Sequence, residues 1–133
     1  MLLVKTKLKS SSIHGIGLFA DEDIHKGQIV WKKTKNNDGL VVFSEVEWKN
    51  LKKKLSEESY KQIRNYTYKY NRDGQYYVCL DDTRFINHSS KPNISENKIG
   101  NDIAIRNIRK GEEILIDYRT FIDKTDLKYH GFG

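Results

Sequence analysis

Arg84-Phe85-Ile86-Asn87-His88-Ser89-Ser90-Lys91-Pro92-Asn93 is the stretch on which the fold turns. Phe85 and Ile86 form an apolar pair suited to burial. They run straight into Asn87 and His88, two side chains that are costly to bury unless hydrogen-bonded. That succession builds a site at the edge of a core. Ser89 to Asn93 then reads as a turn, in which Pro92 fixes its own φ and pushes Lys91 toward an extended conformation. As composition alone, the ten residues fit an ordinary capped loop equally well.

Two further stretches remove that balance. Gly15-Ile16-Gly17-Leu18-Phe19-Ala20 alternates small and apolar residues, and its glycines let a backbone approach a ligand closely or adopt torsions closed to other residues. A β-bulge is the competing reading of that pair. Gly111-Glu112-Glu113-Ile114-Leu115-Ile116-Asp117-Tyr118 is a tight turn into an apolar strand. In this order the three stretches resemble the signature motifs of SET-domain protein lysine methyltransferases. The third family motif, R-F-I-N-H-x-C-x-P-N, is matched except at Ser90, and the resemblance covers roughly residues 3 to 121.

A length of 133 residues predicts one domain with a single core, 1-133, and leaves little room for an accessory module. Two Trp, eight Tyr and five Phe argue against disorder. The net charge of +6 is scattered except around Lys49 to Lys54, which reads as solvated faces, so direct nucleic-acid binding is not expected. The lone Cys79 excludes an internal disulfide and, within Tyr76 to Leu80, reads as a small buried strand residue. Met1 to Val4 is too short for a signal peptide's apolar segment and no stretch is long enough to span a membrane, so the default is an intracellular soluble protein.

Along the chain, Leu2 to Leu8 predicts a first strand and Gln28 to Trp31 another, with a turn at Asn36 to Gly39 before Leu40 to Phe43. From Ser44 the period lengthens to that of a helix. Ser44 with Glu47 forms a capping box, Val46, Leu51 and Leu55 share one face with Trp48 at its margin, and a second helix starts after Ser56. This helical insert, about 44-66, falls where the family carries a variable insert facing substrate. Tyr66 to Tyr77 holds a hairpin turned at Asn71 to Gly74. Asp102 to Ile108 alternates as a strand, Ile114 to Tyr118 is another, and a short tail runs 119-133. The class is mainly β with an α insert (α+β). The resemblance implies a SET-domain fold of small twisted sheets with a knot-like threaded C-terminal segment.

The resemblance also implies the chemistry: methyl transfer from S-adenosyl-L-methionine to the side-chain amine of a protein lysine, with a histone as one substrate class. Tyr118 matches the catalytic tyrosine that ends the fourth motif. Asn87 and His88 match cofactor-holding residues, with the backbone of His14, Gly15, Ile16 and Gly17 completing the cradle. A family tyrosine upstream of the third motif lines the lysine channel; Tyr66 and Tyr68 are the candidates. Ile116 stands where many members carry Phe or Tyr, which leaves room for more than one methylation. Arg84 and Glu113 read as a structural pair or as separate surface charges. With Ser90 in place of Cys and no later cysteines, no metal is expected, and something else must close the site. Phe121, Tyr129 and Phe132 of the tail are candidates for that closure, a frayed terminus is the opposing reading, and a homodimer is a third source of a lid. The rival function is a SET-like cofactor- or peptide-binding module that docks through its basic helix. A small basic nucleic-acid-binding domain is the third.

Overall fold

The computed structural model describes residues 1–132; Gly133, the last residue of the expected tail, lies outside the described residues. The serine-rich turn closes a hairpin of β1 (Thr6–Ser10) and β2 (Ile16–Ala20). Ser11 Oγ accepts the N–H groups of Ile13 and His14, and Gly15 takes a φ of 46°, which lets the chain reverse. The strand expected from Leu2 reduces to a single bridge to Trp31, because Leu3 N–H is already given to Val30 and regular pairing begins only at Thr6.

Next come β3 (Ile29–Trp31) and β4 (Leu40–Phe43). Helix α1 (Glu45–Lys54) starts on the expected capping box: Ser44 Oγ accepts from Glu47 N at 3.1 Å and Glu47 Oε1 accepts from Ser44 N at 2.9 Å. Its buried residue is Trp48, whereas Val46 is 68% exposed, so the expected face is rotated. The reason is aromatic: Trp48 stacks on Tyr76 at 5.2 Å and meets Phe43 and Tyr60. Helix α2 (Glu57–Asn65) is capped by Ser56. Then β5 (Thr67–Lys69) and β6 (Tyr76–Cys79) join β4 in an antiparallel sheet of order β4-β6-β5.

A 3₁₀ turn at Asp82–Phe85 leads into β7 (Asn87–His88), then β8 (Ile94–Glu96) and β9 (Asp102–Ala104). The second antiparallel sheet is β3-β9-β8, and its register sets both Trp31 and Glu96 opposite Asp102. The strand expected over 102–108 stops at Ala104: Ile105 N–H makes one more bond in the same register, to the carbonyl of Asn93, and the chain then bends so that Ile108 bridges Ile24 instead. Likewise β10 (Leu115–Ile116) is only two residues, because Asp117 caps a 3₁₀ turn at Tyr118–Thr120. The tail forms helix α3 (Lys124–Tyr129), capped by Asp123. Small, mostly antiparallel sheets thus carry three α-helices among the described residues. No helix among them is long and apolar enough to cross a membrane.

Leu18, Ile24, Val30, Ile94, Ile108 and Ile114 fill the main core without measurable exposure beyond 1%. Across it, β10 pairs in parallel with β7, which brings the third and fourth motifs side by side. Asn93 fixes that pairing. Its Nδ2 donates to the Glu113 carbonyl at 2.7 Å and its Oδ1 accepts from Leu115 N at 2.8 Å. Its backbone donates to the Leu115 carbonyl and accepts from Ile105, both at 3.0 Å. With Asn93 only 1% exposed, loss of its amide strands a buried donor and a buried acceptor. Asn93→Ala should therefore lower the unfolding free energy by about 2–4 kcal/mol, read as a reduced urea midpoint at unchanged slope.

Candidate functional site

The ends of β7 and β10 carry the groups singled out in the sequence. Asn87 is buried, and its Nδ2 donates to the carbonyls of His14 at 3.0 Å and Ile16 at 3.4 Å and to Glu113 Oε1 at 3.0 Å. Among the described residues no donor reaches its Oδ1. Glu113 also accepts from Ser11 Oγ at 3.0 Å. A Cβ on Gly17 would come within 1.9 Å of Glu113 Oε1, so glycine there admits a carboxylate of the chain itself, while Gly15 faces open space. Glu113 thus ties the first, third and fourth motifs together. It is not paired with Arg84, which bonds the Leu80 and Asp81 carbonyls at 3.4 and 3.2 Å.

His88 works through its ring. Nδ1 accepts the backbone N–H of Tyr118 at 3.1 Å, which requires that nitrogen to be unprotonated, and burial lowers the imidazole's pKa in agreement. The Tyr118 hydroxyl donates to the Ile86 carbonyl at 2.5 Å. Burial pushes that phenol up to about 12, so it is neutral at pH 7 and its oxygen keeps lone pairs to accept a further hydrogen bond. Phe121 packs edge-on against Tyr118 at 6.0 Å and Phe132 at 5.3 Å, and Phe132 also covers the His88 ring at 4.7 Å.

Tyr118 also lines a cavity of about 110 Å³ between the two three-stranded sheets. Its walls include Tyr66, Tyr68, Tyr70, Tyr77, Ile86, Ile116 and Phe121, with Trp31, Arg84 and Asp102. Tyr68 is buried enough that its phenol pKa lies well above the ordinary value.

The family model of the SET domain matches residues 15–119. The chain belongs to the SET-domain family. Histone-lysine N-methyltransferase 2D of Homo sapiens is 31% identical over 121 residues, which are 84% of this chain and 2% of that protein; its Mus musculus counterpart gives the same figures. The chain therefore spans a small fraction of those relatives. Among solved structures, the Chaetomium thermophilum Polycomb Repressive Complex 2 in an autoinhibited conformation bound to S-adenosylmethionine is similar at a TM-score of 0.64 and 24% identity, over 97% of this chain and 17% of that one. A candidate histone methyltransferase of Plasmodium falciparum has a TM-score of 0.56 at 23% identity, over 88% of this chain and 95% of that one.

Within this SET domain, Tyr66, Tyr68, Ile116 and Tyr118 converge on the cavity, with Tyr66 at its exposed rim. His14, Gly15, Ile16, Gly17, Asn87 and His88 form a separate cluster, joined to the cavity through Tyr118. Among the described residues no group of three or more His, Cys, Asp or Glu side chains is arranged to hold a metal. The expected tail residues divide: Phe121 and Phe132 cover Tyr118, while Tyr129 turns outward beneath the Arg64 guanidinium. What pins the tail is a buried ion pair of Arg64 in α2 with Asp126 in α3, supported by Arg64 Nη1 to the Thr67 carbonyl and by Lys69 N to Asp126 Oδ2, both 2.8 Å. Nothing local in the sequence signals a pair 62 residues apart. Asp102 had a signal that was not used: in Asp102-Ile103-Ala104 it alternates onto the same face as buried Ala104.

Asp102 has no hydrogen bond from the described residues, and burial, with Glu96 nearby, raises its carboxyl to about 7. A carboxyl raised by burial favours the folded state only while protonated. Unfolded chains lose the proton near pH 3.8 and the folded one near 7, so the charge destabilises progressively across that window and fully above it. Asp102→Asn should be more stable than the parent by on the order of 2–4 kcal/mol at pH 8 and indistinguishable from it near pH 3.5, in paired urea titrations.

Proposed function

We propose that this chain is an S-adenosylmethionine-dependent protein-lysine N-methyltransferase. The observation that carries this reading is the position of Tyr118, one face on His88 and the other on the cavity. The single SET domain is read as 1–133, with the helices near 44–66 as an insert flanking substrate and residues 119–133 as the tail. The threaded C-terminal arrangement of the family belongs to the same reading.

The residues fit the cofactor. Asn87 spends its N–H groups on the His14 and Ile16 carbonyls and on Glu113, which fixes the amide and leaves Oδ1 as an acceptor for a cationic amino group. Gly15 leaves open space beside it. His14, Gly15, Ile16, Gly17, Asn87 and His88 would hold the group, which when bound supplies a methyl on a positively charged sulfur. The rest is done by the chain. Ile86, Ile116, Tyr68 and Phe121 give a largely apolar channel wall, which aligns an alkyl stem and disfavours an ammonium beside it. Tyr118, donating to Ile86, accepts an N–H from the substrate amine and so aims the nitrogen's lone pair. His88 and Phe132 hold the Tyr118 ring and backbone in place. Ile116 offers no hydroxyl to restrain the amine, which favours more than one methylation. The substrate class is a protein lysine, with histones the first to test.

The test is transfer of labelled methyl from S-adenosylmethionine to a histone mixture and to a cell extract. The parent should label lysine, and Tyr118→Phe should lose at least about a hundredfold in rate while retaining cofactor affinity within about threefold. Equal labelling by both proteins removes the role given to Tyr118. Cofactor binding with no labelling by either favours the binding-module reading.

A further inference from the structure

We propose that Asp102 takes the proton from the substrate ammonium, through water held in the cavity that both Tyr118 and Asp102 line. This rests on the methyltransferase reading and supplies a step it leaves open. Lysine reaches a protein surface as an ammonium, and nitrogen can attack only after losing a proton. Tyr118 cannot accept it, because its phenol is neutral and already donates to Ile86.

The acceptor lines the same cavity. Cross-strand register places Trp31, Asp102 and Glu96 in one row over the sheet β3-β9-β8, facing Tyr68, Tyr70 and Tyr77 of the other sheet and the loop beyond it. Two groups of this row are left without partners. Trp31 is 6% exposed and its indole N–H is a buried donor with no acceptor. Asp102 has no donor. A buried donor and a half-buried carboxyl that accepts no hydrogen bond from the described residues, on neighbouring strands and both at the wall of one cavity with room for several waters, form a water site. Glu96 is unlike Asp102: it accepts from Tyr70 and pairs with Arg72 at 2.8 Å, so its carboxylate is already partnered and Asp102 is the carboxyl of the row without a partner.

Every charged or titratable group facing Asp102 is compatible with that role. Glu96 raises its proton affinity and the Met1 amino group lowers it. Tyr68 and Cys79 are both raised by burial and stay neutral. Tyr70 and Tyr77 are likewise neutral, and the Lys33 ammonium is held over their rings at 4.9 and 5.4 Å. The step balances: an N–H bond of the ammonium breaks, water relays a proton, an O–H bond forms on Asp102, and one positive and one negative charge are lost together. With a carboxyl near 7, the base form is available at neutral pH.

The experiment uses the whole chain and n-butylammonium chloride as a mimic of the lysine stem. In ¹H–¹⁵N spectra the Trp31 indole signal should titrate with a midpoint near 7 and lose that titration in Asp102→Asn, while Trp48, outside the cavity, reports global change. n-Butylammonium should shift the Trp31 signal and lower its midpoint in the parent only. In labelled-methyl assays Asp102→Asn should lose about 10–100-fold at pH 7 and recover to within about threefold at pH 9.5, where solvent hydroxide removes the proton. A Trp31 midpoint in the ordinary carboxylate range, a response to n-butylammonium equal in both proteins, or a loss uniform with pH overturns the proposal. Absence of labelling by the parent counts against the methyltransferase reading, and the Trp31 titration decides the Asp102 site independently.

Discussion

Three hydrogen bonds from one buried asparagine hold the third and fourth motifs together, and the site exists only while they do. Asn93 joins the carbonyl of Glu113 to the N–H of Leu115 through its side chain and repeats the grip through its backbone. A two-residue parallel ladder is weak by itself, since it supplies few bonds to offset the chain entropy of bringing distant segments together. With the amide in place, β7 and β10 are fixed in register, and Asn87, His88, Ile116 and Tyr118 inherit their positions from that register. Pro92 serves the same end by restricting the turn that delivers Asn93 to its partners.

The cavity shows a second constraint, the cost of polar groups between packed sheets. Tyrosines line it because each presents an apolar ring to the core and a hydroxyl that can be satisfied at one end. Tyr70 and Tyr77 do this with Glu96 and Asp73, and Tyr118 with a backbone carbonyl. Trp31 does not: its indole N–H is a buried donor without an acceptor at the wall of the cavity.

The tail is held by a different device. Arg64 and Asp126 are both nearly inaccessible, so neither charge can be left alone without a large penalty, and each is further satisfied by backbone groups of the β5 segment. This ion pair ties α3 to α2, and Phe121 and Phe132 of the tail pack on Tyr118. The helical insert and the tail are thus one structural unit beside the cavity.

The sequence by itself determined the family, the three motifs and their order, and most local structure. Turn and cap chemistry acts over three or four residues, so Ser44 with Glu47, Ser56, and the Asn71 to Gly74 turn were legible. It also picked out Tyr118, Ile116 and the tyrosine pair Tyr66 and Tyr68, which share one cavity. Tertiary structure alone decided which face of α1 is buried, because Trp48 follows Tyr76 of the distant strand β6 as well as Phe43 of the adjoining strand. It decided where strands end, since the chain bends after Ile105 so that Ile108 meets Ile24, and Tyr118 gives its N–H to the His88 ring rather than to a ladder. It decided that Glu113 is a hub, that Arg64 finds Asp126, and that Asp102 meets Trp31 across a sheet. Each of these is a long-range pairing of polar groups. Local propensity carries no information about such partners, and burial makes finding them obligatory.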